Sequence, residues 1–423
     1  MIDRLMTGLA AALIAAAAQA QELSPSLAQA LQDENPRSLE RALAETRMTK
    51  AERRLAEGLL SAMLNRDDDA EALLSASARD KKLSPDMRRQ AAETLAGVRL
   101  RIGDFAGAAT MLDAADEIEA LDADERRARN FVAPLAAAPR IERAPLRPGH
   151  LAVTRDMAGL ARAGALINGA EQEAVLDTGA AYSTIVESAA ERLNLRFFDG
   201  AVSVGAAAVE DVPARVAIAD ALSLGDAAFE NVLFIVLPDE ALSFADGQYT
   251  IEAIIGFPVL SRLERLAFEA DNAGETLSFA PSAAAARAGN LYLDGLSPVV
   301  LVKTEGADAP LRMVLDTGAA ATNLSLEAVR THPALAEKAE SRSARYGGAG
   351  GAVEEKDSLA IPELTLDIAG APVTVRNVLV LATGQASRRD GLLGQDVLRS
   401  GSGYVLDFKA MTLELLPSAA SQE

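Results

Sequence analysis

The sequence predicts a multidomain chain in which an N-terminal α-helical region is followed by an all-β region built of two similar lobes. Three observations predict this organisation. Apolar residues recur at helical spacing up to about residue 132, a Pro-rich stretch follows, and beyond residue 150 three sequence blocks occur twice in the same order. The predicted parts are a helical region (21–132), a linker (133–150), a first lobe (151–281), a hinge (282–289) and a second lobe (290–418).

The first 20 residues are typical of an export signal. Leu5 to Ala18 are almost wholly small or apolar, and Ala18-Gln19-Ala20 matches the A-x-A cleavage pattern. An uncleaved anchor and an Ala-rich leading helix are the alternatives. Because no later stretch reaches the ~18 apolar residues of a membrane span, we expect a periplasmic or secreted chain that is cleaved after Ala20 and keeps no transmembrane segment.

The helical region has a weak internal repeat. Gly103-Asp104-Phe105, followed by Ala108, resembles the turn and second helix of a tetratricopeptide repeat (TPR), and Asp67 with Ala72 repeats this relation 36 residues upstream. A plain Ala-rich bundle fits the pattern equally well. Either arrangement provides helical hairpins that could dock a protein partner or brace the lobes. Since four prolines lie within residues 133–150, we expect an isolating linker and a 148–423 fragment that folds alone.

Composition removes whole classes of chemistry. The 423 residues include no Cys and only two His, so thiolate nucleophiles, thiolate metal sites and iron–sulfur clusters are excluded. His150 lies in the Pro-rich stretch and His332 precedes Pro333, which disfavours a Ser/His/Asp triad. The formal net charge of −20 would repel nucleic acid. Carboxylate chemistry or binding remains, and we expect no cofactor and no metal.

Residues 151–418 contain an internal sequence duplication. Ala174 to Ala181 (AVLDTGAA) recurs as Met313 to Ala320 (MVLDTGAA), 139 residues later from Asp177 to Asp316. Two further pairs of blocks keep the same order: Asn231-Val232-Leu233 with Asn377-Val378-Leu379, and Ile254-Ile255-Gly256 with Leu392-Leu393-Gly394. Such a duplication predicts two lobes related by a local two-fold axis, which would bring the two Asp-Thr-Gly loops together.

Two carboxylates side by side have a specific chemistry. A lone Asp after an apolar strand would be only a turn residue or a helix N-cap. Asp177 and Asp316, held within hydrogen-bond reach, could not both ionise, so the pair would share one proton, and one carboxyl would act as acid while the other acts as base. Such a pair can activate a water for attack on a peptide carbonyl.

The neighbours of each Asp have matching physical roles. The glycines permit a tight turn whose N–H approaches the carboxylate, the β-branched threonines can bond across the axis, and a second hydroxyl follows six residues after each Asp. The supporting residues predicted on these grounds are Thr178, Gly179, Ser183, Thr317, Gly318 and Thr322.

These motifs resemble the retropepsin-like and pepsin-like aspartic proteases over about residues 150–418. Both Asp-Thr-Gly-Ala loops and both apolar-apolar-Gly blocks, 78 or 79 residues after their Asp, carry the resemblance. It implies an all-β bilobal aspartic protease fold of two retropepsin-like lobes in a single chain. It also implies that Asp177 and Asp316 are the catalytic dyad, that Thr178 and Thr317 interlock, and that an extended peptide is the substrate.

The resemblance also implies a flexible hairpin, or flap, over the cleft. In the second lobe the candidate residues are Tyr346, Gly347 and Gly348, and in the first they are Val204 and Gly205. An ordinary mobile turn is the alternative for both segments. Tyr182, close behind the first loop, would either wall a side pocket or simply pack.

Three function classes follow. The sequence favours an exported aspartic endopeptidase that is active as a monomer, since both half-sites lie in one chain. The alternatives are a non-catalytic peptide-binding protein of the same fold and an actin-like phosphotransferase, against which the lack of a P-loop-type Gly-rich loop counts. We expect an acidic to weakly acidic pH optimum and a substrate preference that tolerates or favours basic residues.

Overall fold

A computed structural model describes residues 25–45, 47–199, 202–204, 212–244, 247–271, 274–348, 351–381 and 389–417. The predicted leader and Gly205 of the candidate flap lie outside these residues. Within the described part, no helix is both long enough and apolar enough to cross a membrane.

The described part of the N-terminal region is helical, as predicted. Its helices are α1 Pro25–Asp33, α2 Pro36–Glu45, α3 Lys50–Met63, α4 Asp67–Arg79, α5 Pro85–Ile102, α6 Phe105–Asp116 and α7 Ala123–Val132. Thr49 and Glu52 form a reciprocal capping box at the start of α3. Helix α5 begins at Pro85, where the Ser84 hydroxyl accepts from the N–H of Met87. Gly103, with φ of 78°, then ends α5 in the left-handed conformation that glycine favours.

The segment between the helices and the lobes is not a free linker. It holds a short 3-10 turn at Ala133–Leu135, and β1 (Glu142–Arg143) pairs in antiparallel register with a strand of the first lobe, Glu142 opposite Glu230. The next strand, β2 (Gly149–Arg155), also begins inside the predicted linker. The Pro-rich composition therefore predicted an extended backbone, but this backbone adds to the sheet instead of isolating the helices from it.

Two β-rich lobes follow, each with a few short helices. The first lobe contains β2 Gly149–Arg155, β3 Ala161–Ile167, β4 Ala170–Leu176, β5 Ser183–Val186, α8 Glu187–Arg192, β6 Arg196–Phe197, β7 Val202–Val204, β8 Val212–Leu224, β9 Ala227–Leu237, β10 Ser243–Phe244, β11 Tyr249–Thr250, β12 Ala253–Ile255, α9 Phe257–Leu260, β13 Arg265–Asp271 and β14 Gly274–Ala280. The second contains β15 Leu291–Asp294, β16 Ser297–Thr304, β17 Leu311–Leu315, β18 Asn323–Ser325, α10 Leu326–Thr331, α11 Pro333–Ala336, β19 Glu340–Gly348, β20 Gly351–Ile368, β21 Ala371–Leu381, β22 Gly391–Leu393, α12 Gln395–Leu398, β23 Gly403–Asp407 and β24 Thr412–Leu416.

The duplicated sequence blocks form strands that pair in the same way in both lobes. In the first lobe β12 pairs parallel with β4 and antiparallel with β5, and in the second β22 pairs in the same two ways with β17 and β18. The registers correspond: Ile254 lies opposite Val175, and Leu392 lies opposite Val314. Because β4 and β17 lead directly into the two Asp-Thr-Gly loops, the same scaffold holds each loop.

The two lobes share a sheet. Strands β24, β23, β13, β14 and β2 are neighbours in that order, so the last strands of the second lobe pair with the last strands of the first. In the β13–β23 pair Ala267 lies opposite Val405, and the rings of Phe268 and Tyr404 stack at 4.7 Å. Ala267 and Val405 are equivalent positions of the two copies, so the local two-fold axis passes between these strands.

The helices pack against both lobes, whereas the Pro-rich composition predicted a linker that isolates the lobes from them. Arg101 of α5 donates to the carbonyl of Gly295 at 2.8 Å in the second lobe, and its own carbonyl accepts from Arg262 of the first lobe at 3.1 Å. Asn65 donates to the carbonyl of Phe408 at 2.8 Å. One continuous buried apolar cluster extends from the helices through both lobes. A linker's composition does not reveal such long-range packing.

Candidate active site

Each predicted Asp lies directly after a buried strand. The N–H of Asp177 donates to the carbonyl of Ile255 at 3.0 Å, and the N–H of Asp316 donates to that of Leu393 at 3.1 Å. The predicted apolar-apolar-Gly strands thus run beside the strands that carry the Asp residues and fix where each loop begins.

The two loops meet so closely that only glycine fits beside each Asp. A Cβ on Gly179 would lie 2.4 Å from Cγ of Asp316, and a Cβ on Gly318 would lie 2.3 Å from Cγ of Asp177. The two carboxyl groups lie close enough to shift the pKa of one another. The structure therefore brings Asp177 and Asp316 together from opposite lobes, with each glycine packed on the Asp of the other lobe.

Backbone N–H groups orient both carboxylates. Oδ1 of Asp177 accepts from Gly179 at 2.7 Å and from Ala180 at 3.2 Å. Oδ1 of Asp316 accepts from Gly318 at 2.8 Å. Each loop turns on itself so that its own peptide N–H groups face its carboxylate, which is the arrangement that the turn glycines allow.

The two threonines form a symmetrical lock across the axis. The N–H of Thr178 donates to Oγ1 of Thr317 at 2.9 Å, and the N–H of Thr317 donates to Oγ1 of Thr178 at 3.1 Å. Each hydroxyl also donates to a carbonyl of the opposite lobe: Thr178 to Leu315 and Thr317 to Leu176, at 2.9 and 2.8 Å. Both side chains are buried. These four hydrogen bonds satisfy six polar groups without solvent, which makes the lock rigid.

The second hydroxyl of each loop bonds to the neighbouring glycine strand. Oγ of Ser183 accepts from the N–H of Gly256 at 3.1 Å, and Oγ1 of Thr322 accepts from the N–H of Gly394 at 3.0 Å. Thr322 also donates to Asp396 at 2.6 Å. The sequence showed that these hydroxyls match, and the structure shows that each ties an Asp loop to its apolar-apolar-Gly block.

Burial governs the titration of the dyad. The carboxyls keep some contact with solvent but lie in a densely packed floor between the lobes. Burial raises the pKa of Asp177, while the hydrogen bond from Asp316 and the N–H groups of Gly179 and Ala180 oppose the rise. Burial and the nearby charge of Asp177 raise the pKa of Asp316 well above its ordinary value. Because the two carboxyls are adjacent and the pKa of each is raised, the pair holds one proton over a wide pH range.

Tyr182 packs beneath the helices. Its ring lies 6.2 Å from that of Phe105 and 5.3 Å from that of Phe131, both in the helical region. Burial raises the pKa of its hydroxyl. Of the two roles predicted for this residue, the structure places it in packing against α6 and α7, so the helices touch the segment that follows the first Asp loop.

The candidate flap residues lie in two antiparallel hairpins. Val204 ends β7, opposite Val212 of β8. Tyr346, Gly347 and Gly348 end β19, and their partners are the first residues of β20. Strand β7 lies against helix α7. The described residues thus place the candidate flaps at corresponding hairpins of the two lobes, and their role toward substrate stays a prediction.

Among the described residues, no cluster of three or more His, Cys, Asp or Glu side chains could hold a metal ion. The pair of carboxyls provides one carboxylate that can accept a proton and one carboxyl that can donate it. That is acid–base chemistry on a substrate and a water.

Sequence reasoning missed Gln395. It is buried, and its side-chain amide donates to the carbonyl of Thr317 at 2.8 Å, inside the second Asp loop. The signal that could have found it is a mismatch between the copies: Gly256 is followed by Phe257, whereas Gly394 is followed by Gln395.

The family model of aspartyl proteases matches the chain twice, over residues 163–259 and 300–397. Each match covers one lobe and includes its Asp-Thr-Gly loop. Among solved structures, the chain is similar to a retropepsin-like aspartic protease from Rickettsia conorii, with 17% sequence identity over 33% of this chain and 93% of that chain and a TM-score of 0.21. No curated protein matches the chain.

Proposed function

We propose that this chain, whose two β lobes belong to the aspartyl protease family, is an endopeptidase that hydrolyses peptide bonds with a water activated by Asp177 and Asp316. The observation that carries the proposal is the meeting of two glycine-flanked carboxyls, one from each lobe, locked by Thr178 and Thr317. A peptide-binding protein without catalysis would have no need for two adjacent carboxyls that destabilise each other.

The proposed reaction starts from the dyad with its single proton on Asp316. Ionised Asp177 takes a proton from water as the water oxygen bonds to the carbonyl carbon, and Asp316 gives its proton to the carbonyl oxygen. The product is a neutral tetrahedral diol. Asp177 then passes its proton to the amide nitrogen as the C–N bond breaks, and the return of one diol proton to Asp316 restores the starting state with a carboxylic acid and an amine as products.

The site is complete within one chain. Both Asp loops, both threonines and the shared sheet from β2 to β24 belong to the same polypeptide. We therefore propose that the monomer is active and that an extended peptide lies between the lobes, with the hairpins β7–β8 and β19–β20 as candidate covers.

The pH profile of cleavage tests the proposal. We expect kcat/KM on an unstructured peptide to be bell-shaped in pH, because activity needs a single proton on the dyad. Activity falls at low pH, where the dyad holds two protons, and at high pH, where it holds none. The raised pKa of Asp316 extends the upper limb toward neutral pH. A profile with a single limb, or one unchanged in Asp177→Asn, would contradict the dyad.

We also propose that the chain is exported. The proposal rests on the apolar leader and on Ala18-Gln19-Ala20 before Gln21. The expected result is a chain recovered from the periplasm or the medium of the expressing cells, with Gln21 as its first residue by N-terminal sequencing. Recovery in the cytoplasm with Met1 intact would contradict export and would leave the proposed protease activity untouched.

A further inference from the structure

One peptide unit of the second Asp loop is held from both sides. The carbonyl of Thr317 and the N–H of Gly318 belong to the same planar peptide group. The carbonyl accepts from Nε2 of Gln395 at 2.8 Å, and the N–H donates to Oδ1 of Asp316 at 2.8 Å. Because the peptide is rigid, the side chain of Gln395 sets the direction in which the Gly318 N–H points at the carboxylate.

The amide of Gln395 is itself oriented by the other lobe. Nη1 of Arg155, in β2, donates to Oε1 of Gln395 at 3.0 Å. Arg155 is fixed in turn by an ion pair with Glu275 of β14, with Nε to Oε2 at 2.7 Å, and its partly buried guanidinium also donates to the carbonyl of Gly159. Since a guanidinium only donates, it fixes the Gln395 oxygen toward Arg155 and the NH2 group toward Thr317.

The first lobe has no such connection. Phe257 occupies the position equivalent to Gln395, and its ring packs edge-to-face against Phe408 at 5.5 Å. The backbone contacts are the same in both lobes: the N–H of Phe257 donates to Ala180, and that of Gln395 donates to Ala319, at 2.8 and 2.9 Å. The two copies therefore differ at this position only by the side chain, and only the loop of Asp316 receives a side-chain hydrogen bond from it.

We propose that Arg155 and Gln395 are positioning residues that act through the Thr317–Gly318 peptide to orient and polarise the hydrogen bond on Asp316. The inference rests on the proposed function, because it assigns a regulation of that same dyad. A hydrogen bond accepted by the carbonyl makes the N–H of the same peptide a better donor. The chain from Glu275 through Arg155 and Gln395 thus acts on the loop of Asp316 and has no counterpart at Phe257 in the first lobe.

The pH dependence that this proposal invokes belongs to the dyad and not to the groups packed around Gln395. Arg155 and Glu275 face it from the first lobe as an ion pair. Tyr404 faces it from β23, and burial raises the pKa of Tyr404 to about 12, so it stays neutral in the working range. Asp396, the next residue of α12, turns instead to Thr322. Asp177 is the charged group that faces Asp316 directly.

The direction of the effect follows from the Gly318 N–H. This N–H stabilises the ionised forms of both Asp316 and Asp177. A weaker donor makes ionisation harder, so loss of the Gln395 hydrogen bond moves both limbs of the pH profile to higher pH. Misorientation of the loop also lowers kcat, whereas KM changes little because Gln395 is buried behind the loop.

The test uses the full chain and three single variants. Gln395→Met keeps the length of the side chain and removes its hydrogen bonds, and we expect kcat to fall about 5- to 10-fold with KM within about twofold and both limbs raised. Arg155→Met should shift the profile in the same direction by less. The double variant should match Gln395→Met, because Arg155 acts only through Gln395.

Arg162→Met is the matched control. Arg162 forms an ion pair with Asp156 that is buried about as deeply as that of Arg155, with 13% of its side chain exposed in both cases, and it has no contact with Gln395 in the described residues. Arg162→Met should change the free energy of unfolding without shifting the pH profile of cleavage. Unshifted limbs in Gln395→Met, or additive effects in the double variant, would overturn the proposal. If Gln395→Met does not fold, Arg155→Met alone tests the proposal: both limbs of its pH profile should still move to higher pH, and unshifted limbs would overturn the proposal.

A second readout separates this inference from the proposed function. Carboxyl 13C chemical shifts of Asp-labelled chain, assigned by difference with Asp316→Asn, report the titration of the dyad whether or not the chain cleaves peptides. A wild type without peptidase activity would refute the endopeptidase, and an upward shift of the dyad titration in Gln395→Met would still support the positioning role. An active wild type whose dyad titrates identically in Gln395→Met would refute the positioning role alone.

Discussion

Asp316→Asn is expected to abolish peptide cleavage and, at neutral pH, to leave a chain that is more stable than the wild type. Asn keeps the shape of the side chain and can still accept from Gly318 and donate to Asp177. It cannot give a proton to the carbonyl oxygen of the substrate. We expect kcat to fall by at least about 10³-fold.

The gain in stability follows from the raised pKa of Asp316. A carboxyl whose pKa is higher in the folded than in the unfolded chain favours folding below its unfolded pKa of about 3.9, and this contribution is lost as the pH rises through the folded pKa. Asn does not titrate, so the Asp316→Asn chain does not lose this stability as the pH rises. The melting temperature of Asp316→Asn should therefore exceed that of the wild type at pH 7 to 8, with a difference that narrows toward pH 4.

Two measurements on the same preparations from pH 4 to pH 8 check this prediction. Turnover tests the loss of cleavage, and thermal unfolding tests the gain in stability. Asp113→Asn is the control, because Asp113 is an exposed partner of Arg129 in the helical region and should leave turnover unchanged. Residual turnover near the wild-type rate in Asp316→Asn, or a lower melting temperature at every pH, would contradict the account of the dyad.

The second large effect is expected at Arg101, which joins the helices to the lobes. Its side chain is only 3% exposed. It donates to the carbonyl of Gly295 at 2.8 Å and to Asp67 at 3.2 Å. Arg101→Met leaves the carbonyl and the carboxylate without this partner, and we expect the free energy of unfolding to fall by about 2–4 kcal/mol.

Denaturant unfolding followed by circular dichroism measures this loss. Arg129→Met is the matched control, because its ion pair with Asp113 lies within the helical region and is largely exposed, so its removal should cost less than about 1 kcal/mol. For the same reason the 148–423 fragment is expected to aggregate or to unfold far more easily than the full chain. A soluble fragment with the stability of the full chain would show that the helices do not brace the lobes.

The sequence predicted the dyad because duplication is visible without coordinates. Two Asp-Thr-Gly loops in matching order predict a local two-fold axis, and such an axis can bring Asp177 and Asp316 together. The glycines, threonines and second hydroxyls followed from the same symmetry. A pattern that repeats within one chain therefore carries three-dimensional information.

Features that depend on contacts between different parts of the chain were not predictable. The Pro-rich segment looked like a linker because composition reports backbone conformation, whereas the burial of Arg101 against Gly295 depends on residues 194 positions apart. Gln395 likewise has no local signature, since its role depends on Arg155, 240 positions away in the other lobe. Periodicity and motif spacing do not encode such pairings.

The central claim is that two carboxyls from two lobes form one hydrolytic site. It is tested most directly by mass-spectrometric mapping of the cuts that the purified full chain makes in an unfolded, thiol-blocked protein at weakly acidic pH, beside Asp177→Asn at equal concentration. The account predicts internal cuts by the wild type and none by Asp177→Asn, with the same circular dichroism spectrum for both. The same cuts at the same rate from Asp177→Asn would contradict it.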